Sequence, residues 1–168
     1  RQTGRGVKTS RAVHLGAALA LYGMHVLVVD LDPQGNASTA LGAEHRSGTP
    51  SSYELLLGEC TLEECIQKST AGEGVFVVPA TIDLAGSEIE LVSMVAREKR
   101  LKDALDDSYL DELGIDFVFI DCPPSLGLLT INAMVAADEI LLPIQCEYYA
   151  LEGVGQLLHL MHLIQIHL

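Results

Sequence analysis

The sequence predicts an α/β protein built around a doubly wound, mostly parallel sheet. Four apolar runs rich in β-branched residues have the composition of strands that are buried on both faces. Segments with helical periodicity separate these runs, and two of the runs end in aspartate. Buried strands that alternate with helices are typical of βαβ units, so the 168 residues are expected to form a single domain over 1–168.

Each element is predicted from its own local pattern. Apolar residues at helical spacing predict a helix over 12–22 that ends at Gly23. Thr61 followed three residues later by Glu64 is a capping box, which marks the start of a short helix. Strands are expected at 25–32, 74–80, 115–124 and 139–144, and further helices at 51–58, 61–68, 87–107, 128–138 and 152–166.

The predicted helix over 87–107 is amphipathic. Its apolar side chains are expected to lie on the packed side, and the four charged residues at 97–100 are expected to form a solvated face. The apolar set is Ile89, Val92, Val95, Leu101 and Leu105.

Composition limits the partners and the compartment. A formal net charge of -13 argues against a broad basic face, so this segment alone is expected to bind DNA poorly. No apolar run has the length that crossing a membrane requires, so no membrane partner is expected. The four cysteines, at 60, 65, 122 and 146, lack paired CxxC spacing, which favours buried thiols in a reducing cytoplasm over zinc or disulfides.

The segment TGRGVKTS, residues 3–10, contains most parts of a phosphate-binding loop. Such loops bind phosphate through backbone N–H groups and a helix N-terminus, with a lysine on the phosphates and a hydroxyl on Mg²⁺. The pattern GxxxxGK[ST] fails at both glycines, where Gln2 and Val7 stand, so on its own a glycine-containing loop before a helix is the favoured interpretation. No strand precedes the loop, and the first strand is expected to be missing from this chain. The candidate phosphate-binding residues are Gly4, Gly6, Lys8, Thr9 and Ser10.

Three carboxylates strengthen the nucleotide hypothesis. Asp30 and Asp32 end one predicted strand and Asp121 ends another. The carboxyl ends of neighbouring parallel strands open into one crevice, so these acids are expected to face the phosphate loop. One acid near the metal and another that orients water is the arrangement of a Mg²⁺-nucleotide hydrolase.

Four longer segments carry a resemblance to a known family. They are LVVDLDPQGNASTALG at 27–42, VPATIDLAGSEIELV at 78–92, FVFIDCPPSLGLLTINA at 117–133 and LLPIQCEYYALEGVGQLL at 141–158. Together they resemble the ParA (Soj) chromosome- and plasmid-partitioning ATPases of the ParA/MinD deviant Walker class. The resemblance implies a P-loop fold of which this chain lacks the C-terminal part. It also implies a cytoplasmic, nucleoid-associated enzyme that forms homodimers around Mg²⁺-ATP, binds DNA without sequence preference when complete, and is stimulated by a ParB-type partner.

The resemblance also assigns roles to individual residues. Lys8 matches the Walker A lysine, and Asp32 the aspartate that positions the hydrolytic water. Thr9 matches the Mg²⁺-binding hydroxyl, with Ser10 beside it as a phosphate contact. The metal-site acids implied by the family are Asp30, next to the metal, and Asp121, the Walker B aspartate whose following CPPSLG is a switch region.

The departures from the family lie in the opening stretch. Thr3 stands where the family has a lysine that reaches the phosphates of the dimer partner. Arg5 stands where the family has glycine, and Val7 stands in place of the glycine that precedes the Walker lysine. A β-branched residue at that last position is expected to strain the loop by about 1–3 kcal/mol or to reshape it. Two alternatives therefore stay open: a degenerate ParA-like scaffold that does not hydrolyse ATP and, less favoured, a dinucleotide-binding oxidoreductase with TGRG as its glycine turn.

Overall fold

The computed structural model describes residues 6–105, 107–141 and 150–167, and within them four strands form one sheet. The strands are β1 (Val26–Asp30), β2 (Gln67–Lys68), β3 (Val75–Val78) and β4 (Phe117–Asp121), in the order β2-β3-β1-β4. β1 pairs in parallel with β3 and β4, whereas the two-residue edge strand β2 pairs antiparallel with β3. The predicted α/β class with a mostly parallel sheet is confirmed, and β2 is an addition that the sequence patterns did not predict.

Helices cover both faces of this sheet. Helices are present at the positions predicted near 12–22, 51–58, 128–138 and 152–166. The helix predicted over 61–68 ends at Cys65 and is followed by strand β2. No helix in the described ranges combines the length and the hydrophobicity that crossing a bilayer requires. In chain order the helices are α1 (Gly6–Leu21), α2 (Asn36–Ala40), α3 (Ser52–Leu57), α4 (Leu62–Cys65), a 3-10 helix (Ile82–Gly86), α5 (Ser87–Val92), α6 (Arg100–Ala104), α7 (Asp107–Glu112), α8 (Leu128–Ala136) and α9 (Ala150–His167).

Strand β1 forms the centre of the molecule. All five of its residues have no solvent exposure, which confirms a strand buried on both faces. Val26 and Val28 pack on one face in a cluster with Val13 of α1, while Leu27 and Val29 pack on the other face against helices α3 to α6 and α8. Full burial of such side chains stabilises the fold by about 1.5–3 kcal/mol each, so this strand sets the three-layer arrangement.

Two short helices begin with capping boxes. At α4 the Thr61 hydroxyl accepts from the Glu64 backbone N–H at 3.3 Å, and the Glu64 carboxylate accepts from the Thr61 N–H at 2.8 Å. The same reciprocal pair forms between Ser51 and Glu54 at the start of α3. The capping box predicted at Thr61 is therefore confirmed, and it compensates for the small number of intrahelical bonds in a four-residue helix.

The prediction of a single helix over 87–107 is wrong. The segment forms α5, a turn and α6, because the Arg97 guanidinium donates to the Val92 carbonyl at 2.8 Å and Ala96 takes a φ of 51°. Leu91 and Leu101 supply the buried contacts, and Leu105 is half-buried against the core. Three residues predicted to face the core are instead exposed, namely Ile89 (81%), Val92 (57%) and Val95 (89%).

The charged run at 97–100 is not a solvated face. Arg97 and Arg100 are half-buried, and each donates to a carbonyl near the C-terminal end of a helix. The Arg100 guanidinium bonds the Leu56 carbonyl of α3 at 2.9 Å. Cations at this end of a helix satisfy carbonyls that lack intrahelical partners and interact favourably with the helix dipole.

Two further predictions have separate outcomes. Cys60 and Cys65 form a disulfide, so the prediction of free thiols is wrong for this pair. The two cysteines flank the four-residue helix α4, with Cys65 as its last residue. The Cys122 thiol donates to the Ile120 carbonyl at 3.8 Å, and Cys146 lies outside the described residues. Of the strand predicted at 139–144, residues 139–141 are not in a strand, and 142–144 lie outside the described residues.

The neighbours Leu91 and Ile89 on α5 test the observed packing. Leu91→Ala should lower the free energy of unfolding by about 2–5 kcal/mol, because it opens a cavity in the core. Ile89→Ala removes a side chain of equal size from an exposed site and should change it by less than about 0.5 kcal/mol. Urea denaturation of both variants measures the difference. Equal losses would contradict the described orientation of α5.

Candidate functional site

Two aspartates meet where parallel strands end. Asp30 is the last residue of β1 and Asp121 the last of β4, and the parallel register pairs them directly. Beyond the strands, the Leu31 N–H still donates to the Asp121 carbonyl at 2.9 Å. The structure therefore places two of the three predicted acids side by side at the carboxyl edge of the sheet, where ligands bind in open α/β folds.

The Asp30 carboxylate joins three parts of the chain. Its Oδ2 atom accepts from the Ser38 backbone N–H at 2.9 Å and from the Ser38 hydroxyl at 2.7 Å, while Oδ1 accepts from the Asp32 N–H at 3.0 Å. The Ser38 hydroxyl in turn accepts from the Ala80 N–H, just beyond β3, at 2.9 Å. Asp30 thus ties the end of β1 to helix α2 and to the segment that follows β3.

Burial sets the electrostatics of this network. Asp30 and Ser38 have no solvent exposure. Burial raises the pKa of the Asp30 carboxyl above its ordinary value of 3.8, while the bonds from Ser38 and Asp32 oppose that rise. A buried carboxylate is tolerated only where such donors surround it, so the network is a condition for having an acid at the end of β1.

Asp32 lies in a tight loop just beyond Asp30. Its Oδ1 atom accepts from the Gln34 N–H at 3.0 Å, and its carbonyl accepts from the Gly35 N–H at 2.8 Å. Gly35 has a φ of 62°, and a Cβ there would lie 3.2 Å from the Ala80 carbonyl oxygen, so the turn requires glycine. This turn holds the half-buried Asp32 side chain beside the end of β1.

Asp121, the last residue of β4, directly precedes the loop 122–127 that leads into α8. Its side chain is 5% exposed. Within the loop, the Ser125 carbonyl accepts from the Thr130 hydroxyl at 2.6 Å, which folds the loop back on the first turn of α8. The predicted switch region CPPSLG is therefore a hydrogen-bonded connection between β4 and α8.

The predicted phosphate-binding residues fall at the start of α1. Gly6, Lys8, Thr9 and Ser10 lie in its first turns, although their side chains are outside what the structure describes, as are Thr3, Gly4 and Arg5 altogether. α1 packs along β1 and β4 and ends just before β1 begins, so its N-terminus points toward the edge that carries the acids. Val7 has helical backbone, a conformation that a β-branched residue can adopt.

The donor chemistry at this edge fits Mg²⁺ bound together with a nucleotide. The aspartate oxygens described at this edge are hard ligands, and Mg²⁺ keeps several waters, so one or two protein ligands suffice beside phosphate oxygens. Accordingly, no group of three His, Cys, Asp or Glu side chains in the described ranges could hold a metal alone. Both Asp30 oxygens already accept protein donors, so the chain's own network, rather than a metal, accounts for their position.

The sequence patterns missed Ser38, the residue that completes the Asp30 network. Serine in a short polar segment is common, and its partners lie 8 and 42 residues away in sequence. The only signal available was its position shortly after a strand that ends in acids, where a donor for a buried carboxylate is needed.

Asp30→Asn tests this buried carboxylate through pH. Because the folded-state pKa of Asp30 is raised, the contribution of Asp30 to the wild-type free energy of unfolding falls as pH rises from 3.8 through that raised value. Asparagine does not titrate, so the stability of the variant relative to wild type should increase across this window by at most about 1.4 kcal/mol per pH unit. Urea denaturation at successive pH values measures the slope. Exposed Asp111→Asn is the control, and an equal slope there would contradict the assignment.

Comparison with known proteins places this chain in a family. A family model described as an AAA domain matches residues 1–168. The sporulation initiation inhibitor protein Soj of Bacillus subtilis is 50% identical over 167 residues, which cover 99% of this chain and 64% of that protein. The chromosome partitioning protein ParA of Myxococcus xanthus is 48% identical over 164 residues, which cover 98% of this chain and 56% of that protein. The chain thus spans less than two thirds of these curated relatives.

A solved structure agrees in fold and in sequence. It is described as cobyrinic acid a,c-diamide synthase from Mycobacterium smegmatis with bound ATP analogue and magnesium, and it superposes with a TM-score of 0.86 at 42% identity. The match covers 99% of this chain and 66% of that one. With a family model matched from end to end and half of its residues identical to those of a Soj protein, the chain belongs to the ParA/Soj family of AAA-domain proteins.

Proposed function

We propose that residues 1–168 are the nucleotide-binding part of a ParA-type partitioning ATPase. The observation that carries the proposal is the pairing of Asp30 with Asp121 at the carboxyl edge of the sheet, toward which α1 directs its N-terminus. Partitioning proteins among the relatives, and a structural neighbour described with ATP analogue and magnesium, support the same ligand here.

In this proposal the N-terminus of α1 binds the phosphates. The backbone N–H groups of Gly4, Gly6, Lys8, Thr9 and Ser10 would donate to phosphate oxygens, and the Lys8 ammonium would neutralise part of their charge. When bound, Mg²⁺ supplies charge neutralisation at the transferred phosphate. Thr9 and Asp121 are the residues that would hold it. Asp30, predicted near the metal, lies beside Asp121 in the sheet register and accepts from the Asp32 N–H.

Asp32 is the proposed catalytic carboxylate. Its loop is fixed at three points, by the Asp30 carboxylate, by the Gln34 N–H and by the Gly35 turn. A carboxylate held in this way can accept a hydrogen bond from the attacking water and orient it toward the phosphate. Orientation by a rigid loop lowers the entropy that the reaction step must lose.

The finer biological roles are proposals drawn from the family. The complete protein would form homodimers around ATP, bind DNA without sequence preference, and hydrolyse ATP when a ParB-type protein binds, in the cytoplasm at the nucleoid. The net charge of -13 gives residues 1–168 little affinity for DNA, so DNA contact would come from the rest of the protein.

A second candidate is a ParA-like scaffold that does not hydrolyse ATP. Thr3 stands where the family has the lysine that reaches a partner's phosphates, and Arg5 and Val7 replace glycines. These substitutions favour weaker nucleotide binding. The carboxylate arrangement at Asp30, Asp32 and Asp121 favours retained hydrolysis, so ATP turnover distinguishes the two candidates.

Lys8→Ala tests nucleotide binding. Calorimetry with Mg²⁺-ATP should show binding to this chain that Lys8→Ala weakens by at least about tenfold, because a charge-assisted contact to phosphate is lost. Lys68→Ala, which removes an exposed lysine from the edge strand β2, should bind as the wild type does. A folded wild-type chain that does not bind Mg²⁺-ATP would refute the proposed function.

Asp32→Asn tests the proposed catalytic role. The variant should bind Mg²⁺-ATP normally but release phosphate about 10²–10³-fold more slowly, because the neutral amide is a poor acceptor for the water proton. Asp111→Asn, at an exposed position of α7, should keep the wild-type rate. A wild-type chain that binds ATP without Lys8-dependent turnover would instead support the scaffold.

A further inference from the structure

Helix α8 begins without a side-chain cap of its own. Its N-cap residue is Gly127, which has no side chain to accept from the first backbone N–H groups of the helix. The Glu88 carboxylate of α5 takes that place, with its Oε1 atom 3.4 Å from the Leu129 nitrogen. A carboxylate at a helix N-terminus also interacts favourably with the helix dipole. Glu88 therefore caps α8 from a helix that lies 41 residues away in sequence.

Gly127 is what allows Glu88 to reach this position. A Cβ on Gly127 would overlap the Glu88 Oε1 atom and lie 2.8 Å from its Cδ. The backbone of Gly127, with a φ of -88°, is open to any residue, so the reason for glycine here is space. An alanine at 127 would displace the flexible end of the Glu88 side chain without straining the backbone, which makes it a second and independent probe of this contact.

The capped turn is the one that holds the loop after Asp121. Thr130, in the first turn of α8, donates to the Ser125 carbonyl at 2.6 Å. Loop 122–127 and the start of α8 are therefore joined by a hydrogen bond, and Glu88 links the start of α8 to α5.

The rest of α8 has a separate anchor. The Asn132 amide accepts from the Leu101 N–H at 3.1 Å and donates to the Arg97 carbonyl at 2.8 Å. Asn132 has no solvent exposure, so its bonds hold the middle of α8 in the core independently of the contact between Glu88 and the first turn. Loss of the Glu88 contact should therefore loosen the loop and the helix start while α8 stays packed.

We propose that Glu88 is a positioning residue that, by capping α8, fixes loop 122–127, which directly follows Asp121. Glu88 thereby supports ATP hydrolysis more than ATP binding. The part concerning hydrolysis rests on the proposed function. The part concerning the loop rests only on the contacts of Glu88, Gly127 and Thr130.

Hydrogen–deuterium exchange on this chain without nucleotide tests the loop directly. Glu88→Ala should speed amide exchange over 122–131 by about fivefold, the effect of losing one helix cap. Glu88→Gln keeps an acceptor oxygen without the charge and should fall between Glu88→Ala and wild type. Glu90→Ala is the matched control, because Glu90 lies on the same helix but accepts from the Tyr53 hydroxyl at 3.0 Å. Exchange over 122–131 that is unchanged in Glu88→Ala, or that rises equally in Glu90→Ala, would overturn the proposal.

Gly127→Ala completes the exchange test as a double-mutant cycle. Alone it should raise exchange over 122–131 as Glu88→Ala does, and added to Glu88→Ala it should cause little further change, because both remove one contact. Additive effects would show that Gly127 acts independently of Glu88, which would also count against the proposal.

Steady-state turnover tests the link to hydrolysis. Glu88→Ala should lower kcat several-fold, by about the same factor as the change in exchange, while the Kd for Mg²⁺-ATP stays at the wild-type value. An unchanged kcat with faster exchange would reject the hydrolytic role and keep the structural one. If wild type shows no turnover at all, the proposed function fails, and the exchange result still decides whether Glu88 fixes the loop.

Discussion

The full burial of β1 is the constraint on which the site depends. This strand has apolar side chains on both faces and a parallel neighbour on each side, so the residue that ends it is also removed from water. That residue is an acid, and a buried carboxylate needs hydrogen-bond donors. Ser38 and the Asp32 N–H supply them, and in doing so they fix helix α2 and the loop that carries Asp32. The chemistry at the sheet edge follows from the packing beneath it.

On the face of the sheet opposite α1, side chains form hydrogen bonds with backbone groups at the ends of helices. Arg97 and Arg100 satisfy carbonyls near the C-terminal ends of α5 and α3, and Glu88 satisfies an N–H at the start of α8. Short helices have few internal bonds, so such links between elements supply much of their order. The two faces consequently differ: α1 directs a helix N-terminus toward the acidic edge, whereas the opposite face connects loop 122–127 to the 87–104 segment.

Local patterns predicted what depends on local physics. The apolar run of β1, the capping box at Thr61 and the acids at the ends of β1 and β4 could all be read from short stretches of sequence. The helix over 87–107 could not, because helical periodicity does not reveal that Arg97 ends α5 at Val92. Ser38 and Glu88 were missed for a different reason: they have partners 42 and 41 residues away in sequence, and those contacts exist only in the folded chain.

The position of β1 between β3 and β4 also has a consequence for the order in which the chain folds during synthesis. His25, just before β1, bonds Asp116, just before β4, across a sequence separation of 91 residues. At translation rates of about 5–20 residues per second, β1 leaves the ribosome roughly 5–20 seconds before that partner is available. Contacts of such long range form slowly, so the edge of β1 that pairs with β4 stays without its strand partner for that interval. During that interval the unpaired edge of this buried strand is open to pairing with strands of other chains.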